Sequence, residues 1–183
     1  YYQMYKEMDP SVGLEKNSSF MKMSEQDKED ARKVYAMVTN IDDNVGRLLK
    51  KLDDLKMSKN TVVIFMTDNG PQQTRYAGGM RGKKGSVYQG GVRVPFYLRY
   101  PALGGNKDIQ ATAAHIDVMP TIAQLCQVEL PNDGKIDGKS LLPLITSESV
   151  DWMNRSLFFY WSRRYPELYN NIALLKGDYK LVG

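Results

Sequence analysis

Apolar positions recur along this chain with two periods, and the longest pattern is helical. From Ser24 onward, Val34, Val38, Ile41, Val45, Leu48, Leu52 and Leu55 follow one another at alternating steps of four and three. That spacing places them on one helical face. Ser24 with acidic residues at 25, 27, 29 and 30 suits the unpaired amides of a first turn, and Lys50, Lys51 and Lys56 suit the opposite pole. The spacing predicts one long amphipathic helix. A stripe of this length serves a coiled-coil seam or a helix lying on a sheet, and Gly46 beside Asp42-Asp43-Asn44 favours the sheet.

Thr61 to Met66 reads Thr-Val-Val-Ile-Phe-Met, apolar on both faces and too short for a helix. Such a run predicts a parallel strand covered on both sides, and helix followed by strand predicts an α/β fold. It stops at Thr67-Asp68-Asn69-Gly70-Pro71, where open α/β sheets hold their ligands. Residues 70–92 then carry seven glycines, a long loop of the functional kind. Val94 to Tyr100 predicts a second strand, and Asp117 to Gln127 a short helix with Asp117 as cap and Pro120 in the first turn. A short segment follows at Ser140 to Leu144. Leu157 to Trp161 reads as a strand, and Ile172 to Lys176 with Tyr179 to Val182 predict a hairpin around Gly177-Asp178, an antiparallel ending. Ahead of Ser24, residues 1–23 read as an adherent loop with one helical turn and turn material at Asp9-Pro10 and Val12-Gly13.

Composition narrows the chemistry. The chain has 183 residues, and 25 Lys and Arg against 21 Asp and Glu give +4, spread too evenly to track a nucleic-acid backbone. No apolar run approaches the ~20 residues of a membrane span. One cysteine, Cys126, and one histidine, His115, leave no material for a disulfide or a histidine- or cysteine-based zinc site. The chemistry therefore falls to carboxylates, amides and cations. Asp68 and Asn69 offer oxygens of the kind hard cations prefer, although Asp-Asn-Gly-Pro is equally a turn. Arg81-Gly82-Lys83-Lys84-Gly85-Ser86 sets three cations among glycines, which suits a sulfate or phosphate oxyanion or simply a solvated basic loop. His115 is expected to be a packing or capping group and Cys126 a buried inert thiol. Trp152, Trp161 and the tyrosines of 160–169 are expected in core packing, with a glycan-facing wall as the alternative.

Four ordered stretches resemble type I sulfatases of the alkaline phosphatase superfamily. They are Phe65-Met66-Thr67-Asp68-Asn69-Gly70-Pro71, the run from Arg81 to Pro95, His115-Ile116-Asp117-Val118-Met119-Pro120-Thr121, and Asp137-Gly138-Lys139-Ser140-Leu141-Leu142-Pro143-Leu144. The resemblance extends over about Tyr35 to Val182. It implies an alkaline phosphatase-like domain with helices on a mostly parallel sheet over residues 1–150 and the start of a small antiparallel subdomain over 151–183. It further implies Asp68 and Asn69 as calcium ligands, and Lys84, directly before Gly85-Ser86, as the catalytic and substrate-binding lysine. Gln89 stands where the family more often carries glutamate. The Cys-x-Pro-Ser-Arg segment that supplies the formylglycine nucleophile is absent, and the chain opens at Tyr1-Tyr2 without a methionine. The chain is therefore expected to be a C-terminal fragment, inactive alone, with formylglycine in the missing N-terminal part. Its partners would be the remainder of its own polypeptide and a glycan or small-molecule sulfate ester. By analogy with the family, the location is periplasmic or secreted. The alternatives are a phosphonate or phosphodiester hydrolase on the same scaffold and a non-catalytic protein that associates through the long helix.

Overall fold

The computed structural model describes residues 1–12, 22–132, 134–148, 150–152, 154–165 and 167–183. The predicted turn at Val12-Gly13 therefore lies partly outside the described residues. The predicted long helix is α2, Glu25–Asp54, following a one-turn α1, Tyr2–Tyr5. Ser24 starts it with a capping box: its Oγ accepts the Asp27 amide at 3.1 Å while Asp27 Oδ2 accepts the Ser24 amide at 2.9 Å. Two of the donors that a helix start leaves unpaired are thereby satisfied. Ser24→Ala is expected to cost about 1 kcal/mol, read as a fall of ~2–4 °C in melting temperature.

Residues 1–5 adhere to α2 as expected. Tyr5 stacks obliquely on Tyr35 with ring centroids 5.9 Å apart, Tyr2 Oη donates to Glu29 at 2.8 Å, and Tyr1 Oη donates to Asp43 at 2.7 Å. The apolar stripe itself does not lie on a sheet. Ala31, Val34 and Ala36 are buried, whereas Val38, Ile41, Leu48 and Leu55 are each about half exposed, and the main partner of α2 is α1.

The first sheet differs from the expected one, whereas the second is antiparallel as the ending was expected to be. β1, Val63–Met66, pairs with β2, Phe96–Arg99, in antiparallel register with Phe65 opposite Tyr97. β3, Ser156–Tyr160, β4, Ile172–Lys176, and β5, Tyr179–Val182, form a three-stranded antiparallel sheet in the order β3-β4-β5. The mostly parallel sheet is thus corrected: every strand pair among the described residues is antiparallel. An apolar run reports how deeply a strand sits, not which way its neighbour runs. Even the burial was overstated, since Val63 to Phe65 are half-buried and Met66 is exposed. The terminal hairpin has its turn at Gly177-Asp178, as the sequence predicts.

Between these sheets come α3, Gln89–Val92, α4, Val118–Leu125, and α5, Leu142–Ile145. Pro120 occupies the first turn of α4 and is buried. Asp117 precedes α4 but does not cap it. It closes the preceding 3-10 turn, His115–Asp117, by accepting the Ala114 amide at 2.8 Å, and it also accepts the Lys139 amide at 2.9 Å. Arg155, at the foot of β3, completes its shell with two parallel bonds of 2.9 Å. Thr121 extends this polar core, donating to the Asp117 carbonyl at 2.6 Å and accepting the Leu141 amide at 2.8 Å. The backbone at 138 comes so near that a Cβ there would meet the Ile116 carbonyl oxygen, which explains Gly138. Trp152 packs in this region with its Nε1 donating to the Thr112 carbonyl.

Two lesser expectations are corrected. Cys126 is exposed at the C-cap of α4. Of the aromatic residues expected in the core, Trp152 is buried, but Tyr160, Trp161, Tyr165 and Tyr169 are exposed.

Candidate functional site

The segment after β1 and the glycine-rich loop are knitted together by main-chain bonds. The Gly70 amide donates to the Gly91 carbonyl at 2.9 Å, the Lys84 amide to the Pro71 carbonyl at 2.8 Å, and the Gly90 amide to the Arg81 carbonyl at 2.7 Å. Lys84 is thereby carried beside Asp68, 16 positions earlier in the chain, with its Nζ 3.4 Å from Asp68 Oδ2. Asn69 Nδ2 donates to the same oxygen at 2.5 Å. The Asn69 amide, and then the Lys84 charge, hold the Asp68 carboxyl below its ordinary range, so it faces Lys84 as an anion through neutral pH. Both side chains are open to solvent.

The three residues singled out in the sequence, Asp68, Asn69 and Lys84, are therefore neighbours, and the other basic residues are not. Arg81 stacks over the Tyr88 ring at 4.0 Å, and the Lys83 charge acts on Asp27 at the start of α2. His115 Nε2 donates to the Thr67 carbonyl at 2.8 Å, tethering the residue before Asp68 to the Asp117 core. That is a structural role, by a tether rather than by the expected packing or capping.

Close approach fixes the loop's glycines. A Cβ on Gly91 would lie 2.2 Å from the Ser86 carbonyl oxygen and 2.6 Å from that of Lys83, both backbone atoms that cannot rotate away. Gly91→Ala is expected to cost about 1–3 kcal/mol by overpacking, measured by thermal unfolding, with faster amide exchange confined to residues 83–91. Ser86 Oγ, next to this contact, is buried without a hydrogen-bond partner among the described residues.

Sequence reading missed the support beneath the loop. Asn171 Oδ1 accepts the Val87 amide at 3.1 Å, and its Nδ2 donates to the carbonyls of Gly85 at 2.9 Å and Trp161 at 3.2 Å. Lys180 Nζ donates to the Val87 carbonyl, and the Trp161 indole lies over Gly85. Nothing local marks these residues, because their partners are 76 to 93 positions away except within the β3–β4 pair.

The expected calcium site is corrected. Calcium takes ~6 to 8 oxygens, whereas Asp68 and Asn69 together give at most three, and one of these already takes the Asn69 amide and faces the Lys84 ammonium. Among the described residues no cluster of three or more His, Cys, Asp or Glu side chains is placed to hold a metal. The donor set that the described residues offer does not fit the ion.

Comparison with known proteins bears on the whole constellation. The Sulfatase family model matches residues 4–128, and the model of the N-sulphoglucosamine sulphohydrolase C-terminal region matches residues 82–183. Mouse (Mus musculus) steryl-sulfatase is 37% identical over 155 residues, covering 78% of this chain and 25% of its own length. Human (Homo sapiens) arylsulfatase A is 36% identical over 146 residues, covering 76% of this chain and 28% of its own. The crystal structure of Ps i-CgsB in complex with k-i-k-neocarrahexaose superposes with a TM-score of 0.70 at 25% identity, covering 86% of this chain and 34% of that one. The chain thus spans about a quarter of the length of these curated relatives. The family match begins at residue 4, so the reading as a C-terminal remnant is corrected, and formylglycine is not assigned to a missing N-terminal part. This chain belongs to the sulfatase family.

Proposed function

We propose that the protein carrying this chain hydrolyses sulfate esters, of sulfated glycans or aryl alcohols, with Lys84 binding the sulfate and stabilising the transition state. The observation that carries this reading is an exposed ammonium set among glycines, held by the main chain next to an ionised carboxylate. As the ester S–O bond breaks, negative charge grows on the leaving oxygen. A fixed cation about 4 Å away, at an effective dielectric of about 20, interacts with a unit charge by on the order of 4 kcal/mol before desolvation is subtracted. Asp68 orients Lys84 while its pairing leaves two of the three ammonium protons for substrate. The complex of Ps i-CgsB with a neocarrahexaose supports a sugar as the esterified group. The same reading takes residues 1–150 as the sulfatase-like part and 151–183 as the start of an antiparallel subdomain. It takes the protein to be periplasmic or secreted. No helix among the described residues is long and apolar enough to cross a membrane.

Initial rates with 4-nitrophenyl sulfate, a sulfated oligosaccharide and 4-nitrophenyl phenylphosphonate test the reading in the full-length protein. Sulfate esters are expected to turn over at least tenfold faster. A preference for the phosphonate would transfer the site to phosphoryl chemistry, since the two ester classes share a tetrahedral centre and differ in charge. The uncovered stripe of Val38, Ile41, Leu48 and Leu55 favours a second reading, association through α2 without catalysis. Absence of turnover with every ester, together with a dimer in sedimentation that Ile41→Asp dissolves, would select it.

A further inference from the structure

Asn171 does more than join two strands. Its main-chain carbonyl accepts the Trp161 amide and so extends the β3–β4 ladder, while its carboxamide reaches the glycine-rich loop. Its backbone is left-handed, with φ of 53°, a conformation that asparagine tolerates better than most side chains. The carboxamide is also the functional group this place requires. One end must accept from the Val87 amide, and the other must donate to the Gly85 carbonyl, so a hydroxyl is too short and a carboxylate has no donor. The two bonds bracket Gly85-Ser86-Val87, immediately after Lys84, and Lys180 and the Trp161 indole press on the same three residues.

We infer that Asn171 is a positioning residue for Lys84, fixing the Gly85–Val87 segment so that the ammonium meets the sulfate ester in one place. The inference rests on the proposed role of Lys84. Displacing a catalytic group by about 1 Å costs on the order of 10²-fold in rate. Asn171→Asp replaces the donor at Gly85 with an acceptor, facing two carbonyl oxygens instead of bonding them.

The test is a double-mutant cycle on kcat/KM for 4-nitrophenyl sulfate in the full-length protein, using Asn171→Asp, Lys84→Ala and the pair, with a thermal melt of each. The expected result is a loss of about 10²-fold for Asn171→Asp in the wild-type background and less than about threefold in the Lys84→Ala background. A merely structural asparagine would lower the rate by the same factor in both backgrounds, and that result would overturn the inference. So would a rate within twofold of wild type for Asn171→Asp while Lys84→Ala is impaired. Wild-type rates in Lys84→Ala would instead remove the proposed role of Lys84. Should Asn171→Asp not fold, Asn171→Gly, which accommodates the left-handed backbone and removes the side chain with its carboxamide, runs the same cycle with the same criteria.

Discussion

Lys84→Ala is expected to lower kcat for a sulfate ester by about 10²- to 10³-fold, the usual consequence of deleting one preorganised donor to a developing oxyanion. The fold should hardly notice. Lys84 and Asp68 are both well exposed, and an exposed pair contributes little to stability. The melting temperature is therefore expected to stay within about 2 °C, a change of under ~0.5 kcal/mol for a protein of this size. Lys83→Ala is the matched control. Its charge acts on Asp27 at the N-terminus of α2, and its turnover should stay within threefold of wild type. Equal losses from both lysines would reduce the loop to a diffuse positive field, and no loss from either would end the assignment.

The second large effect concerns stability. Arg155→Ala is expected to destabilise the protein by about 3–5 kcal/mol, because it leaves the Asp117 carboxylate buried without its countercharge. Asp117 is 0% exposed and the Arg155 side chain only 8%, so water cannot replace the guanidinium. The lost arginine also stacks on Trp152, with its guanidinium carbon 4.9 Å from the ring centre. At ~2–4 °C per kcal/mol the melting temperature should fall by roughly 6–20 °C. Arg155→Lys should recover only part of this, since one ammonium cannot span both carboxylate oxygens as the planar fork does. A drop below 2 °C in calorimetry for Arg155→Ala would show that the pair contributes no more than a surface one.

The parts of the structure legible in the sequence are those written in local chemistry. α2 announces itself through a cap, a reciprocal Asp three residues on and a three-four period, and each signal concerns residues within one or two turns. The β4–β5 hairpin is legible for the same reason, its turn residues being adjacent. What failed depended on partners elsewhere in the chain. The run from Thr61 to Met66 says that a strand exists but not that Phe96–Arg99 lies antiparallel beside it. The stripe on α2 says which face is apolar, not what covers it. Cys126 sits among apolar neighbours in sequence yet is exposed at the C-cap of α4, because neighbours along the chain do not decide what covers a side chain. Asp68 and Asn69 stand out by their oxygens at the end of a strand and Lys84 through a family motif, and the bonds that join their segments are main-chain contacts invisible to composition. The cation expected there needs more oxygens than two side chains own.

The brace under the glycine-rich loop also sets an order of events in biosynthesis. Gly85 and Val87 take bonds from Asn171 and Lys180, 84 to 93 positions downstream. A ribosome adding ~5–20 residues per second delivers those partners several seconds after the loop has emerged. Contacts this distant in sequence are slow to close. The nascent loop must wait, unlocked, until the last strands arrive, so a ribosome stalled before residue 171 would display α2 already wound but no ordered turn at 85–87.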